Sequence, residues 1–295
     1  MAILLFDWGG TSIKYGVWEQ DSLVETASVK TPDCWDKMKA QLLVIFHDYR
    51  QRYAIQGVAV SAPGNVDPER GEIGGLSAIP YIHRFPIVEE LTALFGLPVS
   101  IENDANAAGI AEAALGAGKG YRHVLFIIVG SGVGGAIVED KILRRGSHRY
   151  AGEFGLMTLD NGQTFSELGT AVAMARRYAQ RLSLAEESVS GADVFRLAEA
   201  GDLVAGEEVE QFYHWMAVGL LNLQVCYDPD CLIIGGGISA NKAIFAGIQS
   251  RLRALVTDRQ LTEFMPTLLL CQYRNDANLI GAAESFRQKF GENRR

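Results

Sequence analysis

The order strand, glycine-rich turn, strand occurs twice in this sequence, and that repeat limits the fold more than any other feature. An apolar run over 2–7 (AILLFD) meets Gly9-Gly10 and resumes over 13–18 (IKYGVW). The pattern returns as 122–129 (RHVLFIIV), the turn Gly130-Ser131-Gly132-Val133-Gly134-Gly135, and a strand over 135–139. Mixed strands and helices follow each copy. The expectation is an internal structural repeat: two related α/β lobes with a cleft between them. A chain of 295 residues suits this, because single cores stop growing near roughly 250–300 residues.

Hydrophobic spacing predicts the remaining elements. Trp35, Met38, Leu42, Ile45, Phe46 and Tyr49 recur at helical intervals, so 34–52 is a helix. Pro86 and Gly96 bracket a second helix over 87–95, and an alanine-rich one over 104–115 ends at Gly116. Further helices are expected near 166–182, 192–200, 207–227, 241–256 and 277–290. Strands are expected over 23–30, 57–62, 98–102, 231–234 and 267–271. The division that follows is a small lobe over 1–115, completed by a C-terminal helix over 277–295, and a larger lobe over 116–276.

Three glycine turns carry candidate chemistry. Asp7-Trp8-Gly9-Gly10-Thr11-Ser12 is either a tight hairpin with a solvated Asp or a phosphate cradle. In the second case its amides and the Thr11 or Ser12 hydroxyl bind phosphate oxygens, Lys14 offsets their charge, and Asp7 orients Mg²⁺ through water. The Gly130–Gly135 turn looks like a dinucleotide fingerprint, but that motif must open a helix. The β-branched Ile137-Val138 reads as strand, so a second phosphate hairpin fits better. Gly235-Gly236-Gly237, between a buried strand and a helix, would let a flat group such as adenine lie against the backbone, or is simply a tight turn.

Charge and cysteine usage narrow the function classes. A net charge of −8 disfavours nucleic acid and anionic membrane partners. No apolar run reaches ~18 residues, and the N-terminal run reads as a first strand rather than a signal peptide. Cys34, Cys226, Cys231 and Cys271 read as reduced thiols of a cytoplasmic protein. The near pair, Cys226 and Cys231, reads as buried thiols rather than a metal site.

Glu102-Asn103-Asp104-Ala105-Asn106-Ala107, with the two glycine hairpins and Gly235-Gly236-Gly237, resembles the ROK family (repressor, open reading frame, kinase) in order and over nearly the whole chain. The resemblance implies the actin-like, hexokinase-type ATPase fold and transfer of the ATP γ-phosphoryl group to a sugar, most often at its 6-hydroxyl. It makes Asp104 the catalytic base, a role that suits a carboxylate beside a poorly nucleophilic hydroxyl. Locally, Asn103 or Asp104 would equally serve as a helix N-cap. The resemblance also has Asn103 bonding sugar hydroxyls and the Gly64 backbone, in Pro63-Gly64-Asn65-Val66, facing the sugar. Glu153, in Gly152-Glu153-Phe154-Gly155, and Glu167, in Ser166-Glu167-Leu168-Gly169, accept bonds from sugar hydroxyls. Glu167 is otherwise a first-turn acid favoured by the helix dipole. The nucleotide falls to Asp7, Gly9, Gly10, Thr11, Ser12 and Lys14, to Gly130, Ser131, Gly132, Val133 and Gly134, and to Gly235, Gly236 and Gly237.

Two departures shape the substrate expectation. Leu156 stands where many members carry a zinc-binding His, and 158–166 holds no cysteine. No zinc site is therefore expected, His148 alone being insufficient, and the sequence is similar to the β-glucoside kinase branch. Ala78, in Leu76-Ser77-Ala78-Ile79-Pro80, replaces an Asn that contacts sugar in glucokinase-like members. Tyr81 and His83 after it either line an extended pocket or pack the loop. The expected function is ATP- and Mg²⁺-dependent phosphorylation of a hexose or hexoside, a β-glucoside or glucose. N-acetylmannosamine is the alternative sugar. A sugar-responsive repressor would need a DNA-binding domain before Asp7, and a sugar-independent actin-like ATPase would not need Asn103, Asp104, Glu153 and Glu167. The resemblance also admits a homodimer, with the 207–227 helix serving an interface or the core.

Overall fold

A strand buried at every position must have neighbours on both edges and both faces. β1 (Ala2–Trp8) is such a strand in the computed structural model, which describes residues 2–291. It pairs antiparallel with β2 (Ser12–Glu19), which places Lys14 opposite Asp7, and β2 pairs antiparallel with β3 (Ser22–Lys30). On its other edge β1 runs parallel to β4 (Ile55–Ala62). A small hairpin, β5 (Asn65–Asp67) and β6 (Glu72–Gly74), follows. β7 (Val99–Asn103) then completes the sheet in the order β3-β2-β1-β4-β7. α1 (Trp35–Arg52) buries Met38, Leu42, Ile45, Phe46 and Tyr49, the stripe its spacing predicts. α2 (Ile87–Phe95) stops at Gly96, whose φ of 64° suits glycine. α3 (Asp104–Ala114) starts directly from the end of β7.

The second sheet repeats this plan. β8 (His123–Val129), β9 (Val133–Glu139) and β10 (Ile142–Leu143) form the antiparallel side. After a short hairpin, β11 (Thr158–Asp160) and β12 (Gln163–Thr164), come four helices: α4 (Phe165–Leu168), α5 (Ala171–Arg181), α6 (Gly191–Glu199) and α7 (Leu203–Tyr227). β13 (Cys231–Gly236), α8 (Lys242–Asp258) and β14 (Leu268–Leu270) finish the parallel side, giving β10-β9-β8-β13-β14. Each sheet is thus a three-stranded meander extended by two parallel strands. The chain closes with α9 (Ala277–Phe290). The last residues of the helix expected over 277–295, namely 292–295, lie outside the described residues.

Two compact units result. One holds the described residues up to Gly116, the Arg145–Tyr150 segment and the described residues from Asn275 onward. The other holds Ala117–Arg144 and Ala151–Arg274. Each has its own core: Phe6, Met38, Leu42 and Phe46 in the first, Phe165, Phe212, Met216 and Ile234 in the second. The single helix expected near 166–182 is two helices. Thr170 caps α5 by accepting from the Ala173 amide, and Gly169 sits so close to the Phe165 ring that no Cβ would fit. Cys226 is exposed, not buried, because it lies on the solvent side of the last turn of α7, while Cys231 is buried in the sheet.

Candidate functional site

In the first unit the strand ends of β1 and β7 place two carboxylates. Asp7 is 7% exposed, and burial pushes its carboxyl above the ordinary value, opposed by bonds from Asn278 and Ser61 and by the Lys14 charge. Ser61 Oγ (2.9 Å) and Asn278 Nδ2 (3.0 Å) both donate to Oδ1, and no described residue donates to Oδ2. Gly9 N–H closes the hairpin turn on Ser12 O at 3.0 Å, and Thr31 Oγ1 donates to Gly9 O at 2.6 Å. No described acceptor takes the N–H of Gly10 or Thr11, both exposed at the tip. Lys14 Nζ donates to Asn275 O at 3.3 Å.

Asn103 and Asp104 divide the roles that the sequence left open. The N-cap of α3 is Asn103, whose Oδ1 accepts from Asn106 N at 3.1 Å. Its Nδ2 donates to Gly64 O and to Asp104 Oδ1, both at 3.0 Å, so its amide hydrogens are spent on the protein. Asn103 therefore orients Asp104 through Nδ2. Asp104 Oδ1 also accepts from Ala105 N at 2.8 Å. Gly64 sits at φ +104°, a conformation that costs glycine little.

Sequence reasoning missed the support beneath this pair. Glu102 is 1% exposed, accepts from Asn103 N and Asn106 Nδ2, and pairs with Arg145 Nη2 at 2.5 Å. Arg149 pairs with buried Asp67 at 2.5 Å, and Asn65 Nδ2 donates to His148 O, so the Arg145–Tyr150 segment is fastened to the first unit. The strand expected over 98–102 ends on Glu102, but nothing in the sequence marks Arg145 as its partner. Tyr81 and His83 pack their loop: Tyr81 OH donates to Pro32 O, and His83 lies between Ser77 Oγ (2.8 Å) and Gly74 O (3.1 Å). The carbonyl requires Nδ1–H, so Nε2 accepts from Ser77. Ala78 Cβ would stand 2.6 Å from a Cβ on Gly10, so this loop rests against the hairpin tip.

In the second unit the Gly130–Gly134 turn keeps its own pattern. Gly130 N–H donates to Gly132 O at 2.9 Å, and Val133 N–H donates to Ser166 Oγ at 2.9 Å. The Val133 amide is thus bonded to Ser166, while no described acceptor takes the amides of Ser131 or Gly132. Ser166, which sequence reasoning passed over, ties this turn to the segments of both candidate sugar carboxylates. Its Oγ fills the space beside Gly155, and Glu167 follows it. Glu167 Oε2 accepts from Thr164 N and Oγ1, both at 2.8 Å, in a reciprocal cap of α4, and the Thr164 amide bond holds its carboxyl below the usual range. Glu153 is exposed at the head of a short turn over Phe154–Leu156, where its carbonyl accepts from Leu156 N at 3.1 Å, and its carboxylate makes no hydrogen bond among the described residues.

Beyond the turn lies a cavity of about 450 Å³ lined by Gly130, Val172, Phe195, Gly237, Ile238 and Ile244, among others. Gly236 at φ +84° has no room for a Cβ against Val129, while Gly237 presents bare backbone to the opening. The size and mostly apolar wall suit a nucleoside. Within the first unit, Asp7 Oδ2 and the unspent amides of Gly10 and Thr11 suit a hydrated cation and phosphate oxygens. Among the described residues no group of three or more His, Cys, Asp or Glu side chains could hold a metal ion.

A family profile described as the ROK family matches residues 4–289. A β-glucoside kinase of Listeria monocytogenes is 33% identical, over 100% of this chain and 99% of its own. The crystal structure of a ROK family protein from Streptococcus pneumoniae in complex with sucrose superposes with a TM-score of 0.90 at 32% identity, covering 99% of this chain and 100% of its own. A ROK family glucokinase from Streptomyces griseus, in complex with glucose and AMPPNP, gives 0.77 at 27% identity, covering 98% and 100%.

Proposed function

The chain belongs to the ROK family and has its actin-like, hexokinase-type α/β fold, and from that premise we propose that it is an ATP-dependent sugar kinase. The acceptor is a hexose or hexoside, a β-glucoside or glucose, and the product carries the phosphoryl group on its 6-hydroxyl. The observation that supports this most is the cap of α3. Asn103 fills it, so capping does not account for Asp104, whose carboxylate is oriented by Asn103 Nδ2 and Ala105 N at a helix N-terminus.

In this reading the sugar oxygen attacks the γ-phosphorus as its proton passes to the Asp104 carboxylate. The bond from the γ-phosphorus to the β–γ bridging oxygen breaks, and ADP leaves. The amides of Gly10, Thr11, Ser131 and Gly132 hold phosphate oxygens, with Gly9, Ser12, Gly130 and Gly134 shaping the two turns and Lys14 adding charge. Mg²⁺ arriving with ATP would offset phosphate charge, and Asp7 Oδ2 would hold one of its waters. Adenine and ribose occupy the cavity beside Gly235, Gly236 and Gly237. Glu153 and Glu167 accept from sugar hydroxyls, and the Gly64 backbone borders the sugar. The protein works in the cytoplasm, alone or as a homodimer. Its acidic charge argues against nucleic acid as a partner.

The test is ADP release with Mg·ATP against glucose, mannose, N-acetylmannosamine, N-acetylglucosamine, allose, fructose, cellobiose and an aryl β-glucoside. Turnover with an aryl β-glucoside, cellobiose or glucose well above the sugar-free rate is expected. A rate that no sugar changes would replace the kinase reading with a sugar-independent ATPase.

A further inference from the structure

α9 enters the first unit from the far end of the sequence, and its first turn touches both carboxylate-bearing elements. Asn278 Nδ2 donates to Asp7 Oδ1 at 3.0 Å across 271 residues of chain. Gly281, three residues on, lies so close to α3 that a Cβ would overlap the Ala107 carbonyl oxygen. Ala107 belongs to the first turn of α3, the helix that Asp104 opens. One turn of α9 therefore has one side chain on Asp7 and bare backbone against the helix of Asp104.

The bonds on Asp7 are lopsided. A carboxylate offers about four lone-pair sites over two oxygens. If the donors served only to satisfy a buried acid, one on each oxygen would do as well. Instead Ser61 and Asn278 converge on Oδ1 from two different elements, which keeps Oδ2 clear. Lys14, opposite Asp7 in the sheet, is tied to Asn275 O just before α9 and so braces the same turn.

We propose that Asn278 is a positioning residue for Asp7. Its bond to Oδ1, with that of Ser61, turns Oδ2 toward the metal-bound water of Mg·ATP, and the Gly281 contact references that orientation to the helix of Asp104. This rests on the phosphotransfer reading above.

The test measures ADP affinity by calorimetry, with Mg²⁺ and with EDTA, in wild type, Asn278→Ala and Ser61→Ala. In wild type Mg²⁺ strengthens ADP binding. In each variant that Mg²⁺-dependent gain falls about 10-fold, the scale of one lost hydrogen bond to a charged group, while affinity in EDTA stays at the wild-type value. If Asn278→Ala fails to fold, Ser61→Ala carries the same comparison, since both act on one oxygen. An unchanged Mg²⁺ gain, or an equal loss with and without Mg²⁺, would overturn the positioning role while leaving the kinase reading intact. No Mg²⁺ gain in wild type would instead overturn the metal role of Asp7 and the phosphotransfer reading with it.

Discussion

Asn103 Nδ2 lies 3.0 Å from Asp104 Oδ1, so the residue that caps α3 also holds the carboxylate that follows it. The two tasks use different atoms and can be separated. Asn103→Ala removes both: it should cost about 1 kcal/mol of stability through the lost cap and lower kcat by about 10-fold or more through a loosened Asp104. Asn103→Ser keeps a cap but has no amide arm. Chemical denaturation should show its stability restored, and steady-state kinetics should show kcat still depressed.

Arg145 neutralises a carboxylate that water barely reaches. Arg145→Ala strands Glu102 and should destabilise the fold by on the order of 3 kcal/mol, the lower end for a broken buried pair because Arg145 is itself a third exposed. Arg145→Met with Glu102→Gln should cost less than Arg145→Ala alone. Urea midpoints compare the three.

Gly281→Ala drives a methyl into the Ala107 carbonyl, so α9 must shift away from α3; a loss of at least about 1–3 kcal/mol is expected. Gly206→Ala, inside α7 with open space at its Cβ, should be neutral or gain up to about 1 kcal/mol. Thermal melts of the two variants should move in opposite directions, or Gly206→Ala should not move.

The thiols should sort by burial. Native protein at pH 8 should react with a thiol reagent rapidly at Cys226, slowly at half-buried Cys34, and at Cys231 and Cys271 only after unfolding. Burial pushes the Cys231 thiol up to about 12, against about 8.5 for a free thiol. Below the free value both states are protonated. Between the two values only the unfolded state ionises, so the contribution of Cys231 to stability declines as pH rises through that window. Cys231→Ala should flatten this part of a stability–pH curve.

The repeat was legible because periodicity and glycine turns are local. The two strand–turn–strand runs became the paired meanders, and the 3.6-residue stripe from Met38 to Tyr49 became the buried face of α1. Asn103 and Asp104 were both visible as cap candidates at the end of a strand, but only packing could say which one caps. Ser61 and Asn278 on Asp7, Ser166 on the second turn, and Arg145 on Glu102 left no pattern to read. Each is one polar contact between positions far apart in sequence, set by how elements dock rather than by spacing. The break at Gly169 was hidden for a related reason: the Phe165 ring excludes a side chain there, while apolar spacing runs on through it.

The central claim, that Asp104 accepts the sugar proton during phosphoryl transfer from ATP, is tested most directly by single-turnover formation of sugar phosphate in Asp104→Asn. The account predicts a rate at least about 100-fold below wild type with ADP affinity unchanged. A rate near that of wild type would contradict it.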